Sequence, residues 1–323
     1  MKVCIVGVGA VGGWLAAMLD GHAELSALAR GPLLAALRER GLRFESAGQS
    51  RTVKLRAGDD PAALGPQDLI VIAVKGPALA SVAPAVHAML GEHTRVLLAM
   101  NGVPWCFFDG LPGAAQDLRL ESVDPGGMIR ALIPTERVIG GVVHLGSTVV
   151  EPGFVRHVAG RKLVIGEMRG GASASLDQVA SLLSSAGVEA VVSERIQRDI
   201  WFKLWGNMTI NPISALTGAT ADRILDDELV RGFVSRIMRE AEGMAGQFGC
   251  AVGQTPEERH AVTRKLGAFK TSMLQDVEAG RPLELASLLG AAHEVARHLR
   301  AETPGLDALL GLTRLMAQVR GLT

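Results

Sequence analysis

The residues best suited to chemistry lie in one stretch, Asp199 to Asn211. Most of this stretch is apolar, but Lys203, Asn207 and Asn211 recur at spacings of four, which would align them on one face of a helix. Burying an ammonium and two amides is unfavourable unless they have partners, so Lys203 is expected to be paired or to act on a ligand. Desolvation would lower the pKa of such a lysine towards the working pH, as a general acid requires. In the structural alternative, the ammonium reaches water and the amides bond to neighbouring backbone.

Two further polar residues stand out in helical sequence near the end of the chain. Ser272 opens the run Ser-Met-Leu-Gln-Asp, and Glu284 follows twelve residues later among leucines. Because Glu284 lies close to a predicted helix start, it could simply be a first-turn acid that complements the helix dipole. The sequence around it leaves its role open.

A glycine-rich turn near the start of the chain predicts a dinucleotide site. It lies between an apolar run typical of a strand, Val3–Val6, and an amphipathic helix, Trp14–Leu19. Glycines at this spacing allow a tight turn, close approach of the backbone to a pyrophosphate, and close packing of helix on strand. The phosphates would lie at the helix N-terminus. The predicted cofactor-binding residues are Gly7, Gly9, Ala10, Val11 and Gly12.

The residue after the second predicted strand, Glu24–Ala29, indicates which dinucleotide binds. In dinucleotide folds this position normally carries an acid that binds a ribose 2′-hydroxyl, whereas this chain has Arg30. A guanidinium suits a 2′-phosphate, so NADP(H) is preferred to NAD(H). The alternative is that Arg30 is a solvated surface residue.

Two more predicted strands end in polar residues. Leu69–Val74 is a continuous apolar run, typical of a buried parallel strand, and it ends at Lys75, a candidate for binding a cofactor phosphate. Val96–Met100 ends at Asn101, which could place the nicotinamide ribose or the substrate. Asn101 could also be a turn residue before glycine.

The order of the elements predicts an α/β fold with two domains. Residues 1–194 would form a Rossmann-type parallel sheet that binds NADP(H), with Phe154–His157 and Leu163–Gly166 as two of its later strands. Residues 195–323 show only helical patterns, punctuated by Gly and Pro, and would form an all-helical substrate domain.

Composition narrows the classes of partner. Lys and Arg total 33, as do Asp and Glu, so no net charge recruits nucleic acid or an anionic membrane. Cys4, Cys106 and Cys250 lack metal-ligand spacing, which predicts no metal site and no disulfide framework and fits a reduced cytoplasm. No apolar run is long enough to span a bilayer. The expected partner is a small molecule, with no nucleic acid and no membrane, in a cytoplasmic protein.

Taken together, these motifs resemble those of the ketopantoate reductases (2-dehydropantoate 2-reductases). The resemblance rests on the glycine turn, Asn101-Gly102, the series Lys203, Asn207 and Asn211, and the spacing of Ser272 from Glu284. It extends over almost the whole chain and follows the order of the family's motifs. Members of that family use NADPH to reduce the C2 ketone of ketopantoate to pantoate, in pantothenate biosynthesis.

The resemblance implies a role for each site residue. Lys203 would be the general acid and Glu284 would hold the substrate hydroxyl. Asn207 and Asn211 would orient the substrate, and Ser272 would meet its carboxylate. Arg30 and Lys75 would lie near the adenosine phosphate. The substrate would be a small 2-oxo acid, and a homodimer is one assembly open to the chain.

Several alternatives remain at this point. Bulky apolar residues after Asn101 depart from the family pattern, so Trp105 and Phe107 are hypothesised to line the substrate pocket and to favour a larger 2-oxo acid. A non-catalytic NADP(H)-binding sensor would use Lys203 only to pair with Glu284. The chain has no tyrosine, which excludes a tyrosine–lysine short-chain dehydrogenase site, and its scattered cysteines argue against a zinc alcohol dehydrogenase. A β-hydroxyacid dehydrogenase also uses a lysine and an asparagine one turn apart, but the Ser272 to Glu284 module favours the ketopantoate reductases.

Overall fold

The computed structural model describes the whole chain, Met1–Thr323, which divides into two compact units. The sheet unit comprises Met1–Asn101 and Gly127–Asp199, and the helical unit comprises Gly102–Gly126 and Ile200–Thr323. These units differ from the expected domains in two ways. The Gly102–Gly126 segment joins the helical unit, and the second boundary lies after Asp199 rather than after residue 194.

The sheet unit is built on one ten-stranded sheet. Its strands are β1 Lys2–Val6, β2 Glu24–Leu28, β3 Leu42–Ser46, β4 Gln49–Val53, β5 Arg56–Gly58, β6 Gln67–Ile72, β7 Leu90–Leu98, β8 Val138–Glu151, β9 Phe154–Glu167 and β10 Glu189–Val192. The spatial order is β4-β3-β9-β8-β7-β6-β1-β2-β5, and β10 pairs with β9.

Six of these strands form the parallel part of the sheet, in the order β5-β2-β1-β6-β7-β8. This is the strand order of a dinucleotide-binding fold. In that fold the first three strands are added towards one edge of the sheet, and the fourth strand begins a series added towards the other edge. Here that switch point lies between β1 and β6. Both strands are apolar runs buried on both faces, as expected for the centre of a parallel sheet.

The rest of the sheet is mixed rather than parallel. β9 pairs antiparallel with β8 and parallel with β3, and β3 forms an antiparallel hairpin with β4. The two strands expected at Phe154–His157 and Leu163–Gly166 are one strand, β9. The apolar pattern was interrupted because the middle of β9 is exposed and contains Gly160, whose φ of +76° accompanies a register shift in the ladder.

Thirteen α-helices lie between and after these strands. In the sheet unit they are α1 Ala10–Leu19, α2 Gly31–Arg40, α3 Pro61–Leu64, α4 Leu79–Ala88, α5 Met128–Leu132 and α6 Ala174–Ser185. The next is α7 Ile196–Thr217, which begins in the sheet unit and continues into the helical unit. The helical unit then contains α8 Ala221–Asp226, α9 Glu228–Ala245, α10 Pro256–Arg264, α11 Ser272–Glu278, α12 Ala291–Leu299 and α13 Pro304–Val319.

The long helix α7 continues through Pro212 for five more residues, to Thr217. A proline has no N–H, so the carbonyl of Met208 lacks its helical donor there. None of the helices combines the length and the hydrophobicity that crossing a bilayer requires.

Two kinds of contact explain why Gly102–Gly126 belongs to the helical unit. The carboxylate of Glu294 on α12 accepts hydrogen bonds from the backbone N–H groups of Glu121, at 2.8 Å, and Ser122, at 2.9 Å. The apolar first half of the segment packs into the core of the same unit. Both contacts join residues far apart in the chain, and no local pattern encodes them.

The aromatic residues of this segment form a core cluster. Phe107 and Phe108 are 4.8 Å apart between ring centroids, Phe108 lies 5.3 Å from Phe248, and Phe248 lies 4.9 Å from Trp201. All four side chains are fully buried, as is Trp105. The hypothesis that Trp105 and Phe107 line a substrate pocket is therefore wrong: both belong to the core, so they give no reason to expect a larger substrate.

Candidate active site

The glycine turn between β1 and α1 leaves space where a ligand would need it. Gly7 has φ of +94°, and a Cβ atom there would lie 2.7 Å from Val74 Cγ1. A Cβ atom at Gly12 would lie 2.1 Å from the carbonyl oxygen of Gly7. At Gly9, by contrast, a Cβ atom would meet nothing within 4 Å. Gly7 and Gly12 are thus required by the turn and by helix packing, whereas the backbone at Gly9 is open to close approach by a ligand.

The N-terminus of α1 supplies donors to the same place. Gly9 is the N-cap and offers no side-chain acceptor, and the first intrahelical bond runs from Gly13 N to Gly9 O at 2.8 Å. The N–H groups of Ala10, Val11 and Gly12 therefore have no acceptor within the helix. With the positive end of the helix dipole, these groups suit a diphosphate.

Three further predicted residues follow parallel strands of the same sheet. Arg30 follows β2 as the exposed N-cap of α2. Lys75 follows β6 and is exposed, directly after Val74, which packs against Gly7. Asn101 follows β7 and is half-buried. Because the carboxyl ends of parallel strands meet at one edge, the sheet unit brings these residues to the edge that carries the glycine turn. Their contacts with a cofactor stay predictions.

In the helical unit, α7 carries the expected polar stripe. Lys203 and Asn207 are half-buried, and Asn211 is buried. The alignment on a helix was predicted from the spacing, and the structure shows it. Whether these side chains bind a substrate stays a prediction.

The environment of Lys203 lowers the pKa of its ammonium to about 8. Desolvation is the largest cause, because removal from water disfavours the charged form. The carboxylate of Glu284 acts in the opposite direction and raises the pKa, and the guanidinium of Arg259 lowers it further. At neutral pH the group is mostly a charged acid, yet it loses its proton far more readily than an ordinary lysine.

Glu284 is buried, with 8% of its surface exposed, and its charge acts on Lys203. It lies two residues before a π-helical turn, Ala286–Gly290, which leads into α12. Turns of this type are rare and occur frequently at functional sites. The structure thus brings Glu284 and Lys203 into one electrostatic environment, which the sequence left open.

Ser272 is the first residue of α11 and is exposed. The preceding Thr271 caps the helix by accepting a hydrogen bond from Leu274 N at 3.2 Å. The role of Ser272 towards a substrate carboxylate stays a prediction.

Family models match both parts of the chain. The model described as Ketopantoate reductase PanE/ApbA matches residues 3–170, and the model of its C-terminal part matches residues 195–317. The chain belongs to the ketopantoate reductase family. The resemblance predicted from the motifs is therefore confirmed, and so is the two-domain α/β fold class.

Individual ketopantoate reductases match over their full length. A 2-dehydropantoate 2-reductase of Mesorhizobium japonicum is 41% identical over 99% of this chain and 99% of its own. The crystal structure of a candidate ketopantoate reductase from Ralstonia solanacearum MolK2 is 52% identical, with a TM-score of 0.96 over 100% of this chain and 99% of its own. A 2-dehydropantoate 2-reductase from Geobacter metallireducens GS-15 is 26% identical, with a TM-score of 0.85 over 98% of this chain and 100% of its own.

One charged residue beside the polar stripe of α7 was not predicted. Arg259 belongs to α10, whose start Thr255-Pro256-Glu257-Glu258 is a capping box typical of a solvated helix. The sequence contains no signal that separates Arg259 from its exposed charged neighbours. Its proximity to Lys203 follows only from the tertiary structure, which places the Arg259 side chain over α7.

Proposed function

We propose that this protein is a 2-dehydropantoate 2-reductase that uses NADPH to reduce the C2 ketone of 2-dehydropantoate to the hydroxyl of pantoate, in pantothenate biosynthesis. The observation that carries the proposal is Lys203, with a pKa of about 8, held in the field of the buried Glu284. The match of the chain to a 2-dehydropantoate 2-reductase, 41% identical along its whole length, supports the substrate.

Reduction of a ketone needs a hydride for the carbon and a proton for the oxygen. The reduced nicotinamide supplies the hydride when NADPH is bound. Lys203 is a suitable proton donor, because its Nζ is protonated at neutral pH and its lowered pKa makes transfer to the developing alkoxide easier. Glu284 helps to keep Lys203 protonated before the reaction and is proposed to hold the substrate hydroxyl.

The remaining predicted residues would position the reactants. Asn207 and Asn211 lie one and two turns beyond Lys203 on α7 and would orient the substrate by hydrogen bonds. Asn101 would contact the nicotinamide ribose or the substrate. The backbone of Gly9 to Gly12 would bind the diphosphate. We also propose a cytoplasmic location, which the three free, buried cysteines fit, and we keep a homodimer as a proposal.

An assay of NADPH oxidation tests the proposed function. With 2-dehydropantoate the purified protein should show a higher kcat/KM than with any other branched 2-oxo acid in the same panel. A larger 2-oxo acid that surpasses it would replace the proposed substrate. Tight NADPH binding without turnover of any member of the panel would favour a sensor instead.

We expect Arg30→Ala to weaken NADPH binding by about 10- to 100-fold and to leave NADH binding nearly unchanged. The reason is that a charge-assisted hydrogen bond to the 2′-phosphate contributes roughly 1.5–3 kcal/mol, and NADH lacks that phosphate. Dissociation constants for both dinucleotides, measured by fluorescence titration, provide the comparison. Arg38→Ala is a matched control, because Arg38 is an exposed arginine of the same helix α2. Equal losses for the two cofactors would show that Arg30 does not recognise the phosphate.

A further inference from the structure

The guanidinium of Arg259 lies directly over the backbone of α7 at Gly206. A Cβ atom at Gly206 would lie 3.0 Å from Nη2 and 3.1 Å from Nε of Arg259. Gly206 stands between Lys203 and Asn207 on the helix. The absence of a side chain at Gly206 therefore gives the guanidinium its place beside the polar stripe, and its charge acts on Lys203.

This guanidinium is only partly satisfied. It packs on the ring of Phe202, with Cζ 4.9 Å from the ring centroid. Nε is buried and has no hydrogen-bond partner. Burial also lowers the pKa of Arg259, and no carboxylate offsets this shift. A half-buried guanidinium without a carboxylate partner is unfavourable unless an anion or water completes it.

Neighbouring arginines of the helical unit are paired. Arg239 on α9 binds Glu257 at 2.8 Å, and Arg264 at the end of α10 binds Asp226 at 2.5 Å. Both are exposed, so these pairs contribute little to stability. Arg259 is the more buried of the three and lacks such a pair, although two acids precede it in the same helix. Its position thus keeps a cation beside Lys203 and available to an anion.

We propose that Arg259 binds the carboxylate of the 2-oxo acid substrate and thereby places the adjacent ketone at Lys203; this inference rests on the proposed function. In a 2-oxo acid the carboxylate carbon is bonded directly to the ketone carbon. A group that binds the carboxylate must consequently lie close to the acid that protonates the ketone oxygen, as Arg259 does. The planar guanidinium offers parallel donors that match a carboxylate, which an ammonium does not.

The same geometry selects among oxo acids. A 3-oxo acid has one more carbon between its carboxylate and its ketone, so binding at Arg259 would displace the ketone from Lys203. Ser272, which the family resemblance assigns to the carboxylate, is the competing ligand. Arg259 and Ser272 can be separated experimentally because they lie on different helices, α10 and α11.

The test compares 2-dehydropantoate with its C1 carboxamide, which keeps the ketone but lacks the charge. In Arg259→Gln we expect KM for the acid to rise by about 10- to 100-fold, the range for loss of a charge-assisted hydrogen bond, while KM for the amide changes by less than about threefold. Pantoate binding to the protein, measured by calorimetry without turnover, should weaken by the same factor. For Arg259→Lys, KM for the acid should lie between the values of the wild type and Arg259→Gln, because lysine keeps the positive charge but lacks the parallel donors of a guanidinium.

Two controls make the outcome specific. Arg239→Gln removes a paired, exposed arginine of the same unit and should leave all constants unchanged. The alkaline limb of the pH profile should move to higher pH in Arg259→Gln, because Arg259 lowers the pKa of Lys203 while Glu284, the other charge facing it, raises that pKa. This shift reports the charge of Arg259 beside Lys203, whereas the comparison of acid with amide reports the contact with the carboxylate.

Several results would overturn the proposal. Equal changes for acid and amide would mean that Arg259 acts through packing alone. If Ser272→Ala raises KM for the acid but not for the amide, and Arg259→Gln does not, then Ser272 binds the carboxylate. If Arg259→Gln fails to fold, unaltered acid binding by Arg259→Lys decides against the proposal. If the wild type reduces a different 2-oxo acid, the proposed substrate fails and the same comparison with that acid still decides the role of Arg259. A wild type that binds no 2-oxo acid overturns both.

Discussion

Lys203→Ala is expected to lower kcat by about 10²- to 10⁴-fold, the usual contribution of a positioned general acid. The alkoxide that forms when hydride reaches the ketone carbon needs a proton, and the ammonium with a pKa of about 8 is suited to supply it. NADPH affinity should stay within about threefold, because the residues proposed to bind the dinucleotide belong to the sheet unit. Steady-state kinetics at saturating NADPH and a separate NADPH titration measure the two quantities.

A structural role for Lys203 gives a different result. Breaking a buried pair with Glu284 would destabilise the fold by roughly 3–5 kcal/mol, and activity would fall only as folded protein is lost. The kcat value must therefore be normalised to the folded fraction measured by urea unfolding. Lys265→Ala, which removes an exposed lysine at the end of α10, is the matched control. A normalised kcat that is unchanged in Lys203→Ala would contradict the catalytic assignment.

Glu284→Gln is expected to move the alkaline limb of the pH profile to lower pH and to raise KM. In the wild type, kcat/KM should fall above about pH 8, where Lys203 loses its proton. The carboxylate of Glu284 raises the pKa of Lys203, so a neutral amide in its place lets Lys203 lose its proton at lower pH. If Glu284 also holds the substrate hydroxyl, KM should rise by about 10- to 100-fold, because a charge-assisted hydrogen bond contributes roughly 1.5–3 kcal/mol.

The pH dependence of kcat/KM for both proteins provides the measurement. Glu278→Gln is a suitable control, since Glu278 on α11 forms an exposed pair with Lys270 at 2.7 Å. If the alkaline limb is unchanged in Glu284→Gln and only the midpoint of unfolding changes, then Glu284 has a structural role alone. The opposite shifts expected for Glu284→Gln and Arg259→Gln make it possible to compare the two charges directly.

The sequence by itself determined the features that depend on local chemistry. The glycine turn was predictable because only glycine tolerates the positive φ at position 7 and the contact at position 12. The alignment of Lys203, Asn207 and Asn211 followed from the period of a helix. The placement of Arg30, Lys75 and Asn101 at one edge followed from the direction of parallel strands. Each of these inferences rests on a local pattern: a turn, the period of one helix, or the residue that follows one strand.

Only the tertiary structure decided the features that depend on distant residues. Glu294 holds backbone groups of Glu121 and Ser122 across a separation of up to 173 residues, and this contact with aromatic packing places Gly102–Gly126 in the helical unit. Trp105 and Phe107 are likewise buried by tertiary packing, which for Phe107 includes ring contacts with Trp201 of α7 and with Phe248.

Tertiary packing also decides the pKa of Lys203. Its spacing indicated that it would be partly buried, but its pKa is set by the water that folding removes and by charges at Glu284 and Arg259. Those two residues come from elements remote in the sequence, and the field of each depends on a distance that only packing defines. In the sequence, Arg259 resembles any solvated helix residue, and only the fold places its guanidinium over Gly206.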